Sequence, residues 1–400
     1  MWPFLAAGPL PYFNQGNYSM TPTTEKTSSL FQPFAFKSGL TVKNRVAMAP
    51  MTTWSSNEDS TISDEEVRYY QPRVGGVGLV ITGCSRVSPS GQGFTDEFAS
   101  YDDSFIPSLR KLAIAAKSGG APAILQLYYA GNKALTHLIP AGDLVSASTL
   151  PMEATPFTPG GTTSRELRAS EIQDLIHAFG QATRRAIAAG FDGVELHGAH
   201  GFLLQNFLSP FYNQRTDEWG GPLENRLRFP LAVVREVQRV IEAHATRPFL
   251  LGYRLSPEEP QEGGLRLGDV YPLIDRLAEL PVDYLHVSLS SLLTAKPLDA
   301  PDDQLIIEGI LARVNGRLPV ISAGQVRTPA EARQALALGL ALVAVGQGLV
   351  MNPNWVGLAA SGREDEIQTV LHAANVPELH LPGKLWAVVQ AATGWFTLAA

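Results

Sequence analysis

Short runs rich in Val, Ile and Leu alternate with longer amphipathic stretches from about residue 46 onward. Strands of a parallel sheet that is covered on both faces have this short apolar character, and the crossover helices occupy the stretches between them. Eight such units can be counted, which predicts a (β/α)8 barrel of the TIM type. The predicted strands are residues 46–50, 77–82, 121–127, 193–197, 249–255, 283–288, 319–324 and 342–346.

The stretches between the predicted strands have the spacing of helices that bury one face. Residues 171–188 and 225–244 each carry apolar side chains at intervals of three and four. The last predicted helix opens with Thr328, a good N-cap residue, followed by Pro329 at the first helical position. Shorter helices are predicted at residues 64–73, 104–117, 267–279, 302–315 and 328–338.

The chain of 400 residues is predicted to form one large domain, because barrels with insertions reach this length. The barrel is expected to occupy residues 30–362. Residues 1–29 are rich in Pro, Gly and aromatics without periodicity, so we expect a disordered extension there. Residues 363–400 are expected to form a tail, with an aromatic cluster around Trp395, that packs on its own barrel or on a neighbouring subunit of a homo-oligomer.

Charge and cysteine content narrow the function classes. The 38 acidic and 31 basic residues give a net charge of −7, and the basic residues are scattered, so we expect a small-molecule substrate and no nucleic acid. Cys84 is the single cysteine, which excludes an intrachain disulfide and a cysteine-ligated iron–sulfur cluster and suits a reducing cytoplasm. No apolar run approaches the roughly 18 residues of a membrane-spanning helix, so no membrane association is expected.

Glycines stand directly after the last two predicted strands, at the barrel end where active sites of this fold lie. Gly324 follows the seventh strand and Gly346 the eighth, and each leads towards a helix start. Exposed backbone N–H groups at such places bind phosphate in many barrels. Tight turns between strand and helix would explain the same glycines equally well.

Gln126 and Arg254 stand at the ends of the third and fifth predicted strands. A planar ligand with amide edges could take hydrogen bonds from the glutamine and charge from the guanidinium. Each residue alone is better explained by a structural role, Gln126 as a polar residue of the barrel interior and Arg254 as half of a salt bridge. Their position on one rim favours a shared ligand.

His197 and His200 form the sharpest local feature, two imidazoles three residues apart at a strand end. Both can donate an N–H to one substrate oxygen. A metal pair is the competing chemical interpretation, but zinc or iron would need a further carboxylate or histidine, and none is evident nearby, so no metal is predicted.

The residues from Gly190 to Pro210 read GFDGVELHGAHGFLLQNFLSP, and NQRTDEWGG and ENRLRF follow at 213–221 and 224–229. With NRVAMAPMT at 44–52, these motifs strongly resemble the old yellow enzyme family of NADH:flavin oxidoreductases. The motifs fall in family order over roughly residues 30 to 360. The resemblance implies an FMN-binding barrel that NADH or NADPH reduces and that passes hydride to an activated alkene or another acceptor by a ping-pong mechanism.

The resemblance also implies roles for individual residues. His197 and His200 would bind the substrate oxygen, Gln126 would hold the pyrimidine side of the flavin, and Arg254 would approach its N1 and O2 atoms. The remaining residues implied in FMN binding are Pro50, Met51, Thr52 and Cys84 beside the ring, and Ala323, Gly324, Gly346 and Gln347 at the phosphate.

The sequence departs from the family pattern at several positions. Phe202 stands where many members have a proton-donating tyrosine, so Tyr69, Tyr128, Tyr129 or a water would have to replace it, or the acceptor would be a quinone, oxygen, a nitro compound or free flavin. Gln347 replaces an arginine of the phosphate turn, which removes one positive charge.

Two further substitutions lie at the implied site, the first at a substrate-side contact and the second beside the flavin. Asn132 alters the family's Ala-Gly-Arg after the third strand. Cys84 stands where Gly or Ala is common, and a small buried residue explains it better than a redox thiol.

Two other functions stay open at this level. A barrel lyase would need a metal cluster or a Schiff-base lysine at a strand end, and neither Lys133 nor Lys296 lies in such a run. A flavin-binding protein with little turnover is suggested by Phe202 and Gln347 together.

Overall fold

The computed structural model describes residues 29–152, 154, 160–299 and 304–399. The predicted N-terminal extension lies outside the described residues except for its last residue, Ser29, which begins a short 3-10 helix (Ser29–Phe31). Within the described ranges, no helix is long and apolar enough to cross a membrane.

Eight parallel strands close into a barrel, which confirms the predicted (β/α)8 fold. Each strand pairs with its predecessor in the chain, and Val343 of the last strand lies opposite Val46 of the first. The strands are β1 (Val46–Met48), β2 (Leu79–Arg86), β3 (Ala123–Tyr128), β4 (Gly193–Gly198), β5 (Leu250–Leu255), β6 (Tyr284–Ser288), β7 (Val320–Ala323) and β8 (Leu342–Val345).

Eight helices alternate with these strands and cover the outside of the barrel. Thr328 caps the seventh as predicted, because its hydroxyl accepts the Glu331 N–H and the Glu331 carboxylate accepts the Thr328 N–H. The helices are α1 (Asp64–Tyr70), α2 (Ile106–Lys117), α3 (Ala169–Ala189), α4 (Arg228–His244), α5 (Leu267–Ala278), α6 (Ile306–Val314), α7 (Pro329–Ala337) and α8 (Trp355–Ala360).

Shorter helices lie in the connections and in the tail. The stretch predicted as one helix from 225 to 244 is two, because the chain turns at Leu227 between a four-residue helix and α4. The short helices are Leu203–Leu208, Leu223–Arg226, Gln347–Met351 and Gly383–Ala391.

The first two strands differ from their predicted bounds for local reasons. β1 ends at Met48 because Pro50 has no N–H to continue the ladder, although the Ala49 N–H still donates to Val345 at 3.0 Å. β2 runs four residues beyond the predicted end, because its pairing with β3 shifts between Ile81 and Cys84 and then resumes. A side chain at Gly83 within this shift would lie 2.7 Å from the Met51 carbonyl oxygen.

The C-terminal tail lies against its own barrel. Leu371, Leu385 and Phe396 are buried in the main core together with the helices. The Gly383 N–H donates to Glu65 of α1, and Lys384 forms an ion pair with Asp96. The tail thereby reaches the barrel end where the strands terminate.

Candidate active site

A cavity of about 810 Å³ opens at the C-terminal ends of the barrel strands. Ligand pockets commonly measure about 300–1,000 Å³, so this one can hold a cofactor. The structure brings together every residue that the sequence assigned to FMN or to the substrate oxygen, although their individual roles stay predictions. The cavity is lined by Pro50, Met51, Thr52, Cys84, Gln126, His197, His200, Arg254, Ala323, Gly324, Gly346 and Gln347.

Gln126 of β3 is held from below by a buried carboxylate that the sequence analysis did not single out. Its Nε2 donates to Glu195 Oε1 at 2.7 Å, and Glu195 of β4 is fully buried. Because a carboxylate only accepts hydrogen bonds, the amide nitrogen of Gln126 must face Glu195. The amide oxygen is therefore left to accept a hydrogen bond from a ligand.

Arg254 of β5 places a buried positive charge at the cavity. One terminal nitrogen donates to Ser288 Oγ at 3.0 Å, while Nε is buried and has no hydrogen-bond partner among the described residues. A buried guanidinium nitrogen without a partner is costly unless a ligand supplies an acceptor. Arg254 thus fits an acceptor atom of a bound ring.

The protonation of His197 follows from its surroundings. The backbone N–H of Ala199 donates to its Nδ1 at 3.3 Å, so Nδ1 carries a lone pair and Nε2 carries the proton. Burial lowers the pKa of His197 well below its ordinary value, and the neighbouring His200 and the positive charge of Arg254 oppose its protonation further. His197 is therefore a neutral hydrogen-bond donor at neutral pH.

His200 adopts a left-handed backbone conformation, with φ of +58°, that is uncommon for residues other than glycine. Its N–H donates to Ser256 Oγ at 3.1 Å, and its carbonyl oxygen accepts from Lys133 Nζ at 2.5 Å. These two bonds hold a strained turn, and they fix where the imidazole enters the cavity.

The imidazole of His200 is linked to Arg254 through Ser288. His200 Nε2 lies 2.8 Å from Ser288 Oγ, and that oxygen already accepts from Arg254. The hydroxyl proton of Ser288 is then available to His200 Nε2, which would place the imidazole proton on Nδ1. The His200 residue is exposed at the open cavity, but the protein atoms packed around its ring lower its pKa below the ordinary value, and the positive charge of Arg254 lowers it further.

Thr52 and Cys84 face each other across the ends of β1 and β2, with Oγ1 and Sγ 3.6 Å apart. Burial raises the pKa of the Cys84 thiol, so it stays protonated at neutral pH. A reactive thiolate is not favoured here, which agrees with a role as a small buried wall residue.

The three tyrosines suggested as replacement proton donors are directed elsewhere. The Tyr128 hydroxyl donates to Glu97 and accepts from the Gly93 N–H, and the Tyr129 hydroxyl donates to Ser90 Oγ at 3.0 Å. The Tyr69 ring is buried under the Arg73 guanidinium, 4.2 Å from ring centroid to carbon. None of these tyrosines is among the described residues that line the cavity.

Phe202 takes a position between the histidines and Tyr128. Its ring centroid lies 4.9 Å from that of His197 and 5.0 Å from that of Tyr128. An apolar ring therefore lines the cavity where the family pattern has a tyrosine hydroxyl.

The end of the cavity where the sequence predicts the FMN phosphate adjoins a charge that the sequence analysis missed. Gln347 accepts a hydrogen bond from Arg327 Nε at 3.0 Å and donates to the carbonyl oxygen of Trp395. Arg327 follows Gly324 by three residues and precedes Gln347 by 20, so it does not occupy the position at which the family has its arginine. A guanidinium therefore lies next to the residue that replaced the arginine.

Loops and the tail form the remaining walls. The segments that follow β3 and β5 supply Met152, Ala154 and residues 258–261. Trp395 of the tail also lines the cavity, and its ring centroid lies 6.2 Å from that of Trp54. The sequence contains the aromatic cluster, but its spacing could not show that the tail returns to the barrel mouth.

A metal site gains no support from the described ranges, where no group of three or more His, Cys, Asp or Glu side chains is arranged to hold an ion. The donor set fits a flavin instead: an amide oxygen from Gln126, an unpaired guanidinium nitrogen from Arg254, and glycines at the ends of β7 and β8. Barrel and cavity together define a flavin-dependent oxidoreductase.

The chain matches the model of the NADH:flavin oxidoreductase / NADH oxidase family over residues 29–366, and it belongs to that family. The resemblance to old yellow enzyme is thereby confirmed. The cofactor is FMN, and NADH or NADPH is the reductant.

Several relatives and solved structures are similar to this chain. A Bacillus subtilis protein described as a probable NADH-dependent flavin oxidoreductase is 43% identical over 92% of this chain and 98% of its own length. An NADH:fumarate oxidoreductase of Klebsiella pneumoniae is 38% identical over 89% of this chain, which spans 38% of that protein. Morphinone reductase in complex with tetrahydroNAD superposes with a TM-score of 0.74 at 25% identity, covering 94% of this chain and 98% of that one.

Proposed function

We propose that this protein takes hydride from NADH and passes it through FMN to an acceptor whose oxygen is held by His197 and His200. The observation that carries the proposal is the pair of neutral imidazoles lining one cavity, with ring centroids 5.0 Å apart. Neutral donors aimed at an oxygen that gains charge can contribute roughly 10²–10³ in rate. FMN, when bound, supplies the hydride transfer itself through its N5 atom.

The residues of the chain would bind FMN, orient it and polarise the acceptor. Gln126 and Arg254 would hold the pyrimidine edge of FMN, and Gly324 and Gly346 would leave backbone donors for its phosphate. His197 and His200 would draw electron density towards the acceptor oxygen, which makes the atom that receives hydride more electrophilic. Because reductant and acceptor would use the same cavity in turn, we expect ping-pong kinetics.

Phe202 bears on the class of acceptor. Reduction of an enone ends with protonation at carbon, which is slow without a positioned acid. Reduction of a quinone or a nitro compound ends with protonation at oxygen or nitrogen, where exchange with water is fast. Because Phe202 has no proton to give and the Tyr128 and Tyr129 hydroxyls are bonded elsewhere, we infer a preference for quinone or nitro acceptors over activated alkenes.

NADH is the proposed reductant. The relatives from Bacillus subtilis and Klebsiella pneumoniae are both named for NADH, which supports this choice without determining it. Stopped-flow mixing of the oxidised holoprotein with each nucleotide would measure it as the rate of flavin bleaching. Faster bleaching by NADPH would reverse the assignment.

A second candidate is an NADH-oxidising unit that hands electrons to free flavin or another separate carrier. It is favoured by Phe202 and by the relatives that act on fumarate and acrylate, of which this chain spans 38% and 36%. In such proteins a barrel of this kind makes up a minor part of the chain.

An anaerobic acceptor panel tests the proposal and separates the candidates. Purified holoprotein reduced with NADH is mixed with a quinone, a nitro compound, a cyclic enone, free FMN or oxygen, and flavin reoxidation is followed by absorbance. We expect fast reoxidation by the quinone or nitro compound. Reoxidation by free FMN alone would favour the second candidate, and a protein that takes up no FMN would overturn both.

A further inference from the structure

Two buried titratable side chains lie one layer below the cavity: Glu195, which holds the Gln126 amide, and His286, which has no role in the site described so far. Glu195 precedes His197 by two residues on β4, and His286 precedes Ser288 by two residues on β6. Side chains two apart on a strand point to the same face, so both lie inside the barrel beneath a cavity-lining residue. Both side chains are fully buried.

Glu195 connects these deep residues to the cavity. Its Oε1 accepts from Gln126 Nε2 at 2.7 Å, and its Oε2 lies 2.9 Å from His286 Nδ1. Both oxygens are therefore engaged, and the carboxylate cannot turn without breaking a hydrogen bond. Because Gln126 lines the cavity, the position of its amide depends on Glu195.

The charge of Glu195 is stabilised inside the barrel. Burial alone would raise its pKa, but the hydrogen bond with His286, the positive charge of Arg254 and the hydrogen bond from Gln126 outweigh burial and hold the pKa of Glu195 below its ordinary value. Burial lowers the pKa of His286 despite the neighbouring carboxylate. The cluster thus contains a buried negative charge on Glu195, held between the Gln126 amide and the His286 ring and stabilised by the positive charge of Arg254.

We propose that Glu195, held by His286, is a positioning residue for FMN that fixes the Gln126 amide and opposes reduction of the ring with its negative charge. The inference rests on the assignment of Gln126 and Arg254 to the flavin. Reduction by hydride adds negative charge to the ring system, and a carboxylate in a low-dielectric interior repels that charge and competes for Arg254.

The consequence is a bound flavin that gives up its electrons more readily. Glu195 lowers the affinity for reduced FMN relative to oxidised FMN, so the midpoint potential lies lower than it would with a neutral side chain. A low potential favours transfer to the acceptor over retention of the electrons. The role is distinct from that of a residue that only stabilises the barrel, because a purely structural residue would not change the ratio of the two affinities.

Glu195→Gln tests the inference in the holoprotein, because it removes the charge and keeps the size. The Kd of oxidised FMN is measured by fluorescence on binding to apoprotein, and the midpoint potential by equilibration with a redox dye. We expect the ratio of affinities to shift towards reduced FMN by about tenfold, which for a two-electron couple is about 30 mV.

Asp283→Asn is the matched control. Asp283 is a buried carboxyl immediately before β6, and it accepts the Leu251 N–H at 2.8 Å. We expect its loss to leave the potential unchanged. An unchanged potential in Glu195→Gln, or an equal shift in both variants, would overturn the inference.

Glu195→Asp keeps the charge and shortens the side chain, and it decides the matter if Glu195→Gln does not retain FMN. We expect both forms of FMN to bind several-fold more weakly, with an unchanged ratio, because the Gln126 amide loses its fixed partner. Wild-type affinity for FMN in Glu195→Asp would contradict the positioning role. Failure of the wild-type protein to bind FMN would instead contradict the proposed function.

Discussion

The floor and the rim of the cavity are built from different parts of the fold. The floor consists of Gln126 and Arg254, with Glu195 directly beneath Gln126, and all three are buried on neighbouring strands whose ladders fix their positions. The rim consists of loop and tail residues such as Phe202 and Trp395. On the proposed function, the cofactor chemistry would therefore depend on the rigid part of the barrel, whereas the choice of acceptor would depend on segments that the strands do not fix.

The largest effect is expected on the floor, from Arg254→Met. Loss of the guanidinium removes the positive charge next to the proposed pyrimidine edge, so we expect FMN to bind about 100-fold more weakly, or about 2.7 kcal/mol. Fluorescence titration of apoprotein with FMN measures the change. Arg333→Met is the control, because Arg333 pairs with Glu364 on the outer side of α7. Equal affinities in wild type and Arg254→Met would show that the floor is not the flavin site.

A comparable effect on turnover is expected from His197→Ala and His200→Ala. Each removes one neutral donor to the acceptor oxygen, so reoxidation by a quinone is expected to fall by roughly 10²-fold. Binding of a phenol, which presents a similar oxygen, should weaken in parallel. His177→Ala is the control, since His177 is an exposed residue of α3 beside Glu236. Unchanged phenol binding in both variants would remove the histidines from the site.

Ser288→Ala probes the link between floor and rim and is expected to have a smaller effect. Without the hydroxyl, His200 loses the partner that would keep its proton on Nδ1, so acceptor reduction should slow by about three- to tenfold. Ser288→Thr retains the hydroxyl and should restore most of the rate. If alanine and threonine at this position behave alike, the hydroxyl does not set the imidazole proton.

The smallest effect concerns acid stability. The pKa of His197 is lowered in the folded protein, so below about pH 6.5 the unfolded chain binds more protons at this residue than the folded chain does. The free energy of unfolding therefore decreases as the pH is lowered through this range. Above that pH His197 is neutral in both states, and its titration no longer reduces the free energy of unfolding. We expect the Tm of His197→Gln apoprotein to fall less than that of wild type between pH 6.5 and 5. A parallel decline in both would mean that His197 is protonated in the folded state.

The same contrast explains what the sequence could predict. The floor residues Gln126 and Arg254, like the histidine pair, stand at strand ends, and strand ends are visible in the alternation of apolar runs. Glu195 lies inside a strand, where it looks like part of a motif, and its contact with His286 joins residues 91 positions apart. No local pattern reports such a contact.

The rim was predicted less completely for a related reason. Trp395 lines the cavity because the tail returns to the barrel, and Arg327 lies behind Gln347, to which it is hydrogen-bonded. Sequence spacing encodes neither arrangement. The continuation of β2 past Gly83 depends on a shift in pairing that becomes apparent only when the neighbouring strand is present.

Phe202→Tyr tests most directly whether the floor provides flavin chemistry while the rim restricts the acceptor. Both half-reactions are measured by anaerobic stopped flow, with NADH as reductant and a quinone or a cyclic enone as oxidant. We predict unchanged reduction by NADH, unchanged reoxidation by the quinone, and reoxidation by the enone at least about tenfold faster, because a positioned acid contributes roughly 10²–10⁴. Rapid enone reduction by wild type with no gain in Phe202→Tyr would contradict the account.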